Sequence, residues 1–200
     1  MATRILIFAK APVPGQVKTR LIPALGEEGA ARLAQRMLLD TWQAASQVAG
    51  AEAELCLAPE HDHPDWAGRL PPRARRWSAQ GEGDLVARLS RAAERVLGSG
   101  DKVIFIGTDC PDLGPERLAA ACRALETHDA VMLPAEDGGY VLLGLARYHP
   151  LIFSGILMGG ADVARETAER VKALGWSLQV GDTLRDIDEP EDLAFFEAAR

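Results

Sequence analysis

Short, continuous apolar runs alternate along the chain with longer segments in which apolar residues recur every three or four positions. The two strongest runs cover residues 5–9 and 102–107, and their β-branched content is typical of strands buried on both faces. Weaker strand patterns cover residues 53–57, 73–78, 130–133, 140–145 and 177–180. The helical spacing predicts helices over residues 26–49, 84–97, 115–128, 161–174 and 189–199.

This order of elements predicts an α/β protein whose mostly parallel sheet is covered by helices on both faces. Neither an internal repeat nor a low-complexity linker interrupts the pattern, so we expect residues 1–200 to form a single domain. In sheets of this kind, ligands bind beyond the carboxyl ends of the strands. The residues that follow each strong strand are therefore where function is expected.

The composition excludes several classes of protein. The chain has 200 residues and a net charge of −7, which argues against a DNA or RNA binder but not against binding of a nucleotide. Three cysteines at unrelated spacings indicate neither a zinc site nor a disulfide framework, and we expect reduced thiols in a cytoplasmic protein. No apolar run approaches the length of a membrane span, so none is expected.

The loop after the first strand, "KAPVPGQVKTRL", combines stiff residues with cations. Pro12 and Pro14 restrict the backbone, and Gly15 allows a tight turn or close approach to a ligand. Lys18 and Arg20 suit a polyphosphate, the lysine as a point charge and the arginine as a two-pronged donor. The loop lacks the glycine spacing of a Walker motif. The alternative is a solvated surface loop whose cations have no ligand.

Carboxylates follow two further segments. Asp109 comes directly after the strand at residues 102–107 and is a candidate ligand for a divalent cation shared with a phosphate. Asp112 is expected to cap the next helix or to form a turn instead. In "DIDEPEDL", Asp186 and Asp188 lie on one face of an extended segment. One of them is expected to complete the metal site with Asp109, and Asp188 is the preferred candidate.

A pair of glycines marks the segment "PAEDGGYVLLGL". Gly138 and Gly139 weaken a strand, which is reasonable where the backbone must come close to another group. One interpretation is the floor of an acceptor pocket, with Asp137 turned to the substrate. The other is a turn between two strands, and the two interpretations are compatible.

Taken in order, "FAKAPVPGQVKTRL", "GTDCPDL", "PAEDGGYVLLGL" and "DIDEPEDL" resemble the bacterial family named radical-SAM/selenodomain-associated transferases, also described as glycosyltransferase-A-like. More remotely, they are similar to phospholactate guanylyltransferase and the molybdenum cofactor nucleotidyltransferases. The resemblance covers nearly the whole chain and is weakest over residues 56–78. It implies a Rossmann-like three-layer α/β/α sandwich of the nucleotide-diphospho-sugar transferase type.

The resemblance also implies roles for individual residues. The nucleotide phosphates would be bound by Lys10, Gly15, Lys18 and Arg20. Mg²⁺ or Mn²⁺ would be bound by Asp109 and Asp188, or Asp186. The acceptor would be bordered by Asp137, Gly138, Gly139 and Tyr140. The sequence departs from the family at residues 157–160, where a tryptophan followed by serine or threonine is usual, and at Val86, where glycine is usual.

Three functions remain open from the sequence. The first is Mg²⁺-dependent nucleotidyl transfer from a nucleoside triphosphate to a small phosphorylated acceptor, with Lys18, Arg20 and Asp109 as catalytic residues and pyrophosphate as the leaving group. Such chemistry relies on positioning and charge neutralisation rather than on a protein nucleophile. The second is glycosyl transfer from a nucleotide-diphospho-sugar. The third is a non-catalytic nucleotide-binding module, suggested by the departures at residues 157–160. The base, the acceptor and the oligomeric state are left open.

Overall fold

Seven strands form the central layer of the computed structural model, which describes residues 2–198. The strands are β1 (Thr3–Lys10), β2 (Ala51–Ala58), β3 (Trp77–Ala79), β4 (Lys102–Ile106), β5 (Ala130–Pro134), β6 (Tyr140–Leu145) and β7 (Leu178–Val180). Their order in the sheet is β3-β2-β1-β4-β6-β5-β7. Only β6 runs antiparallel to its neighbours in this sheet, so the expectation of a mostly parallel sheet is confirmed.

The helices form the two outer layers. They are α1 (Ile22–Ser46), α2 (Leu85–Gly98), α3 (Pro115–Ala124), α4 (Val163–Ala173) and α5 (Leu193–Ala198). Short 3₁₀ turns cover Thr19–Leu21, Pro64–Trp66, Pro150–Ile152 and Pro190–Asp192. Within residues 2–198, no helix has both the length and the apolar character needed to cross a membrane.

Both faces of the sheet are buried, and β1 shows why. Ile5 and Ile7 point to the layer formed by α1 and α3, whereas Leu6 points to the layer formed by α2 and α4. None of the three side chains has exposed surface. Burying each one contributes about 1.5–3 kcal/mol, which explains why a continuous apolar run forms a central strand. The predicted three-layer α/β/α architecture is thereby confirmed.

Several predicted boundaries differ from the structure. The expected strand at residues 73–78 begins only at Trp77, because Arg73 has a positive φ of 67° and the segment before Trp77 is not paired as a strand. Of the two roles expected for Asp112, the helix cap is wrong, because the N-cap of α3 is Gly114, whereas the turn is confirmed, because Asp112 lies in the turn before α3. The helix predicted over residues 189–199 begins instead as the 3₁₀ turn Pro190–Asp192 and continues as α5, while residue 199 lies outside the described residues.

Candidate functional site

The carboxyl ends of β1 and β4 lie side by side and bring the first predicted residues together. Ile7 of β1 pairs with Ile106 of β4, so Lys10 and Asp109 each follow the paired positions by three residues. They therefore reach the same edge of the sheet. Asp109 and the loop after β1 consequently face the same region, as expected for a parallel sheet.

A third segment, residues 184–188, closes this edge. Leu184 pairs in parallel with Ala135, just beyond β5. Three residues later, the main-chain nitrogen of Ile187 donates to the carbonyl oxygen of Asp109 at 2.8 Å. These main-chain contacts place Asp186 and Asp188 on either side of Ile187, next to Asp109.

Lys18 joins all three segments. Its Nζ donates to Asp109 Oδ1 at 2.6 Å, to Asp188 Oδ1 at 2.9 Å and to the carbonyl oxygen of Ile187 at 2.6 Å. An ammonium has three donors, and all three are used. The side chain is only 7% exposed. The sequence predicted that Lys18 binds the nucleotide phosphates. In this structure its ammonium lies between the carboxylates of Asp109 and Asp188 instead.

The balance of charge fixes the ionisation of Lys18. Burial by itself lowers the pKa of its ammonium, but Asp109 and Asp188 together outweigh burial and raise the pKa above its ordinary value. Lys18 therefore stays protonated at neutral pH. The backbone conformation is also unusual, since Lys18 lies in the left-handed region with φ 48° and ψ 42°. This conformation leads directly into the 3₁₀ turn Thr19–Leu21.

Asp186 shows that negative charge is in excess at this edge. Its pKa is raised to about 7, first by burial and then by the carboxylates of Asp109, Asp188 and Asp137, in that order. The ammonium of Lys18 acts in the opposite direction but is the weakest of these influences. The raised pKa therefore reflects burial first and, after it, three neighbouring carboxylates that Lys18 does not fully offset.

Hard oxygen ligands of the type that Mg²⁺ and Mn²⁺ prefer are therefore present at the site, from Asp109, Asp186 and Asp188. Within the part of the chain that the structure describes, no three histidine, cysteine, aspartate or glutamate side chains already form a metal-binding cluster. Asp109 and Asp188 instead share the ammonium of Lys18. The donor set fits such a cation, provided that the lysine and the carboxylates rearrange.

A cavity of about 220 Å³ opens beside these carboxylates. Its polar wall contains Asp109, Asp137 and Asp186. Its apolar walls include Phe8, Leu85, Phe105, Val141, Met158 and Val163. A larger groove of about 300 Å³, between α1 and the loop before α3, contains none of the predicted site residues, so the smaller cavity is the candidate site.

The two glycines of the pair, Gly138 and Gly139, have different surroundings: Gly138 packs against the main chain, and Gly139 faces the cavity. Gly138 has a φ of 91°, and a Cβ there would lie 2.7 Å from the Cα of Ala161, so its close approach is to the chain itself. Gly139 lines the cavity, and its nitrogen donates to Asp137 Oδ1 at 2.8 Å. Tyr140 also lines the cavity. Its hydroxyl has no hydrogen-bond partner within residues 2–198, and burial raises its pKa, so the phenol stays neutral.

The remaining predicted residues lie on the surface of the loop after β1. Gly15, with φ 79°, follows Pro14 in a turn that the nitrogen of Gln16 closes onto the carbonyl of Val13 at 3.1 Å. Arg20 is 69% exposed and pairs with Glu189 at 3.0 Å. Lys10 is exposed at the end of β1. These two cations are accessible to an anionic ligand, whereas Lys18 is not.

Sequence reasoning missed two kinds of site residue. The carbonyl of Ile187 is a main-chain acceptor, and no residue type signals such a role. Most apolar walls of the cavity were also missed. The exception is the departure at residues 157–160, which was expected to help wall the acceptor pocket, and Met158 to Gly160 do line the cavity. The sequence carries no signal for these walls, because the exposure of an apolar residue such as Leu85, which is 45% exposed, is known only from the structure.

Comparison with known proteins shows which family and which solved structures the chain resembles. A family described as uncharacterized proteins conserved in bacteria, DUF2064, matches residues 41–160, more than half of the chain. A search of curated proteins found no match. A protein from Desulfovibrio desulfuricans G20, provisionally described as a nucleotide-diphospho-sugar transferase, is 32% identical. Its structure matches with a TM-score of 0.86 over 94% of this chain and 84% of that chain.

Two remoter structures are similar in fold alone. A CMP:2-keto-3-deoxy-manno-octonic acid synthetase crystallised with CTP is 13% identical, with a TM-score of 0.59 over 99% of this chain and 98% of that chain. A Mycobacterium tuberculosis H37Rv protein in complex with manganese is 12% identical, with a TM-score of 0.54 over 98% and 97%. The association with radical-SAM proteins stays a prediction. The chain has the nucleotide-diphospho-sugar transferase fold, and it belongs to the DUF2064 family of bacterial proteins.

Proposed function

We propose that the protein is a metal-dependent nucleotidyltransferase that binds a nucleoside triphosphate over the loop after β1. The observation that carries the proposal is the convergence of Asp109, Asp186 and Asp188 at one edge of the sheet, with Lys18 in contact with two of them. Such an excess of carboxylates suits a divalent cation, which in turn suits phosphates. Two exposed cations lie nearby, Lys10 at the end of β1 and Arg20 in the 3₁₀ turn that follows the loop.

Mg²⁺ or Mn²⁺ would be held by Asp109 and Asp188, with Asp186 as a further ligand. When bound, the metal supplies neutralising charge for the phosphates and for the leaving group. The manganese complex of the Mycobacterium tuberculosis protein, which shares this fold, supports the choice of ion. Asp186 is consistent with this choice, because its pKa is raised to about 7 by burial and, after burial, by the neighbouring carboxylates that a cation would neutralise.

The residues of the chain then divide into three roles. Lys10, Gly15 and Arg20 bind the triphosphate, with Arg20 able to contact two phosphate oxygens at once. Lys18 positions the carboxylates of Asp109 and Asp188, and this role replaces the direct phosphate contact expected from the sequence. The acceptor side of the site is formed by Asp137, Gly139 and Tyr140, with Gly138 holding their turn against the start of α4.

In the reaction, an oxygen of the acceptor attacks the α-phosphorus of the triphosphate. The bond from that phosphorus to the bridging oxygen breaks, and pyrophosphate leaves with the electron pair. The acceptor proton passes to a basic group or to water. Arg20 and Lys10 hold the phosphates in place, because transfer of this type depends on alignment and on charge neutralisation. The CTP complex of the synthetase that shares this fold supports a triphosphate as the donor.

Glycosyl transfer from a nucleotide-diphospho-sugar is the second candidate. It is favoured by the description of the Desulfovibrio desulfuricans relative, which is 32% identical to this chain. In that case the bond that breaks is between the sugar and the diphosphate, and the same carboxylates would serve a diphosphate donor. The two candidates differ in which donor binds and in which product appears.

Thermal unfolding with and without Mg²⁺, in the presence of each common nucleoside triphosphate or nucleotide-diphospho-sugar, tests the proposal. A donor at about 100 times its dissociation constant adds about 2.7 kcal/mol to the free energy of unfolding. We expect stabilisation by a triphosphate that needs Mg²⁺ and is lost in Asp109→Asn, but not in the control Asp62→Asn in an exposed loop. Pyrophosphate release is then measured with the stabilising triphosphate and a panel of acceptors.

Each alternative predicts a different result in these assays. Preferential, Mg²⁺-dependent stabilisation by a nucleotide sugar, without pyrophosphate release from any triphosphate, would establish the glycosyltransferase. Tight binding of a nucleotide without turnover, unchanged in Asp109→Asn, would establish a non-catalytic module. The absence of stabilisation by every nucleotide would refute all three.

A further inference from the structure

Among residues 2–198, every charged side chain that lines the cavity beside the carboxylates is negative. Asp109, Asp137 and Asp186 line it, while no lysine, arginine or histidine of residues 2–198 does. A metal held by Asp109, Asp186 and Asp188 would leave Asp137 without a counter-charge on the acceptor side. A phosphate ester carries up to two negative charges and is recognised through arginine or lysine. The cavity wall offers neither.

Three cations near the cavity, Lys18, Arg165 and Arg170, are engaged elsewhere. Lys18 is buried against Asp109 and Asp188. On α4, whose first residue lines the cavity, Arg165 pairs with Asp162 and Glu169. Arg170, also on α4, donates to the carbonyl of Ser154 at 2.9 Å and pairs with Glu166. None of these residues lines the cavity.

The rest of the cavity is apolar. Phe8 and Phe105 meet edge to face, with ring centroids 5.8 Å apart, and both line it. Leu85 lines it as well, although the side chain is 45% exposed. A volume of about 220 Å³ corresponds to about seven water molecules at about 30 Å³ each, enough for a small ring or a short chain.

We propose that this cavity binds the acceptor of the transfer, and that the acceptor is a neutral or cationic alcohol with an apolar body rather than a phosphate ester. The proposal rests on the function proposed above and specifies its substrate class. It replaces the small phosphorylated acceptor of the first function left open by the sequence. Apolar contacts with Phe8, Phe105 and Met158 bind the body of the acceptor, while Asp137 disfavours anions and favours cations.

The chemistry follows from this class. The hydroxyl oxygen of the acceptor forms the new bond to the α-phosphorus, and the bond to pyrophosphate breaks. Pyrophosphate leaves with the electron pair, and the hydroxyl proton is lost to a basic group or to water. The product is a phosphodiester between a nucleoside monophosphate and the alcohol. A phosphorylated acceptor would instead give a diphosphate linkage.

Methyl NMR on the protein labelled at its methionines tests the class directly. The chain has four methionines, and Met158 lines the cavity whereas Met37 and Met132 do not. Three probes share one apolar body: 2-phenylethanol, 2-phenylethylamine and 2-phenylethyl phosphate. Each is titrated into the full chain with Mg²⁺. We expect the alcohol and the amine to shift the Met158 signal and the phosphate to bind at least about tenfold more weakly, the size of one repulsive charge interaction.

Variants separate charge from shape. Asp137→Asn keeps an oxygen that can accept from Gly139, so the turn is retained while the charge is lost. We expect the ratio between the dissociation constants of the phosphate and alcohol probes to fall several-fold in Asp137→Asn and to stay unchanged in Asp62→Asn. Leu85→Lys adds a cation at an exposed position of the cavity wall and should bring the phosphate to at least the affinity of the alcohol.

Three results would overturn the inference: binding of the phosphate as tight as that of the alcohol in the unaltered protein, no shift of Met158 with any probe, or equal effects of Asp137→Asn and Asp62→Asn. None of these bears on nucleotide binding, which the unfolding assay measures separately. A Met158 response together with a failure of every nucleotide to stabilise the protein would instead remove the nucleotidyltransferase proposal. The two failures are therefore distinguishable.

Discussion

Replacing Lys18 by methionine tests how the protein holds its carboxylates together. The substitution keeps a long unbranched side chain but removes the ammonium that lies between Asp109 and Asp188. It also removes all three hydrogen bonds of that ammonium, including the 2.6 Å bond to the carbonyl of Ile187. Asp109 and Asp188 then repel each other and Asp186 without compensation.

The expected magnitude follows from burial. Removing one partner of a buried ion pair costs about 3–5 kcal/mol. The Lys18 side chain is 7% exposed, but Asp109 and Asp188 are 42% and 44% exposed, so water recovers part of that loss. The carbonyl of Ile187, a residue with no exposed surface, also loses a partner. We expect Lys18→Met to lower the free energy of unfolding of the metal-free protein by about 2–3 kcal/mol.

Urea unfolding in the presence of a chelator at neutral pH measures this loss. Lys172→Met is the matched control, because Lys172 is exposed on α4 and should change the free energy of unfolding by less than about 1 kcal/mol. The same titration is repeated with Mg²⁺. Since Lys18 shares two of the proposed metal ligands, Mg²⁺ should stabilise Lys18→Met more than it stabilises the unaltered protein.

Two results would refute the reasoning. If Lys18→Met is as stable as Lys172→Met, the three contacts of the ammonium do not contribute to stability and the carboxylates do not need it. If Mg²⁺ stabilises Lys18→Met no more than the unaltered protein, the ammonium and the metal do not share ligands. The second result would leave the stability argument intact and count against the proposed metal site.

Three further substitutions have expected outcomes of their own. The raised pKa of Asp186 means that the folded state holds its proton more tightly than the unfolded state, so stability is lost as the pH rises from about 4 to about 7. Asp186→Asn should therefore stabilise the metal-free protein at about pH 8, by at most about 4 kcal/mol. The same substitution should not stabilise it at about pH 4. Gly138→Ala should destabilise by about 3 kcal/mol in urea unfolding, more than Gly139→Ala, because its new Cβ meets the main chain of Ala161 at a positive φ. Arg20→Ala should change stability by less than about 1 kcal/mol, yet weaken triphosphate binding by about tenfold in calorimetry.

Each of these predictions has a clear contrary result. An equal effect of Asp186→Asn at both pH values would mean that its carboxyl group is not the origin of the pH dependence. Equal losses in Gly138→Ala and Gly139→Ala would show that the chain can move away from the added methyl group. Unchanged triphosphate affinity in Arg20→Ala would remove this arginine from the nucleotide site.

The strands, and the edge of the sheet at which their carboxyl ends meet, could be predicted because local sequence patterns determine them. Residues 5–7 alternate between two buried layers, and only a central strand of an α/β sheet gives a continuous apolar run of this kind. The meeting of Asp109 with the segment 184–188 followed from the rule that ligand sites lie at the carboxyl ends of parallel strands. The residue types at those ends then indicated the chemistry.

The partner of each charge could not be predicted in the same way. Lys18 and Asp188 are 170 residues apart, and no periodicity links positions so distant. The same limit applies to Gly138, whose contact is the main chain of Ala161 rather than a ligand. The cavity walls come from five separate elements, β1, α2, β4, β6 and α4, and from the loop before α4, so no single stretch of the sequence shows their apolar character together.

The bond between Lys18 and the segment at Ile187 and Asp188 also dictates when the site can form during synthesis. A ribosome releases the loop after β1 early, but the acceptors at positions 187 and 188 emerge only after β7 has been made. Until then Lys18 has at most Asp109 as a partner, and the left-handed turn before Thr19 is not held in place. A nascent chain can therefore build most of its sheet before Lys18 acquires its full set of partners, which it does only once residue 188 has left the ribosome.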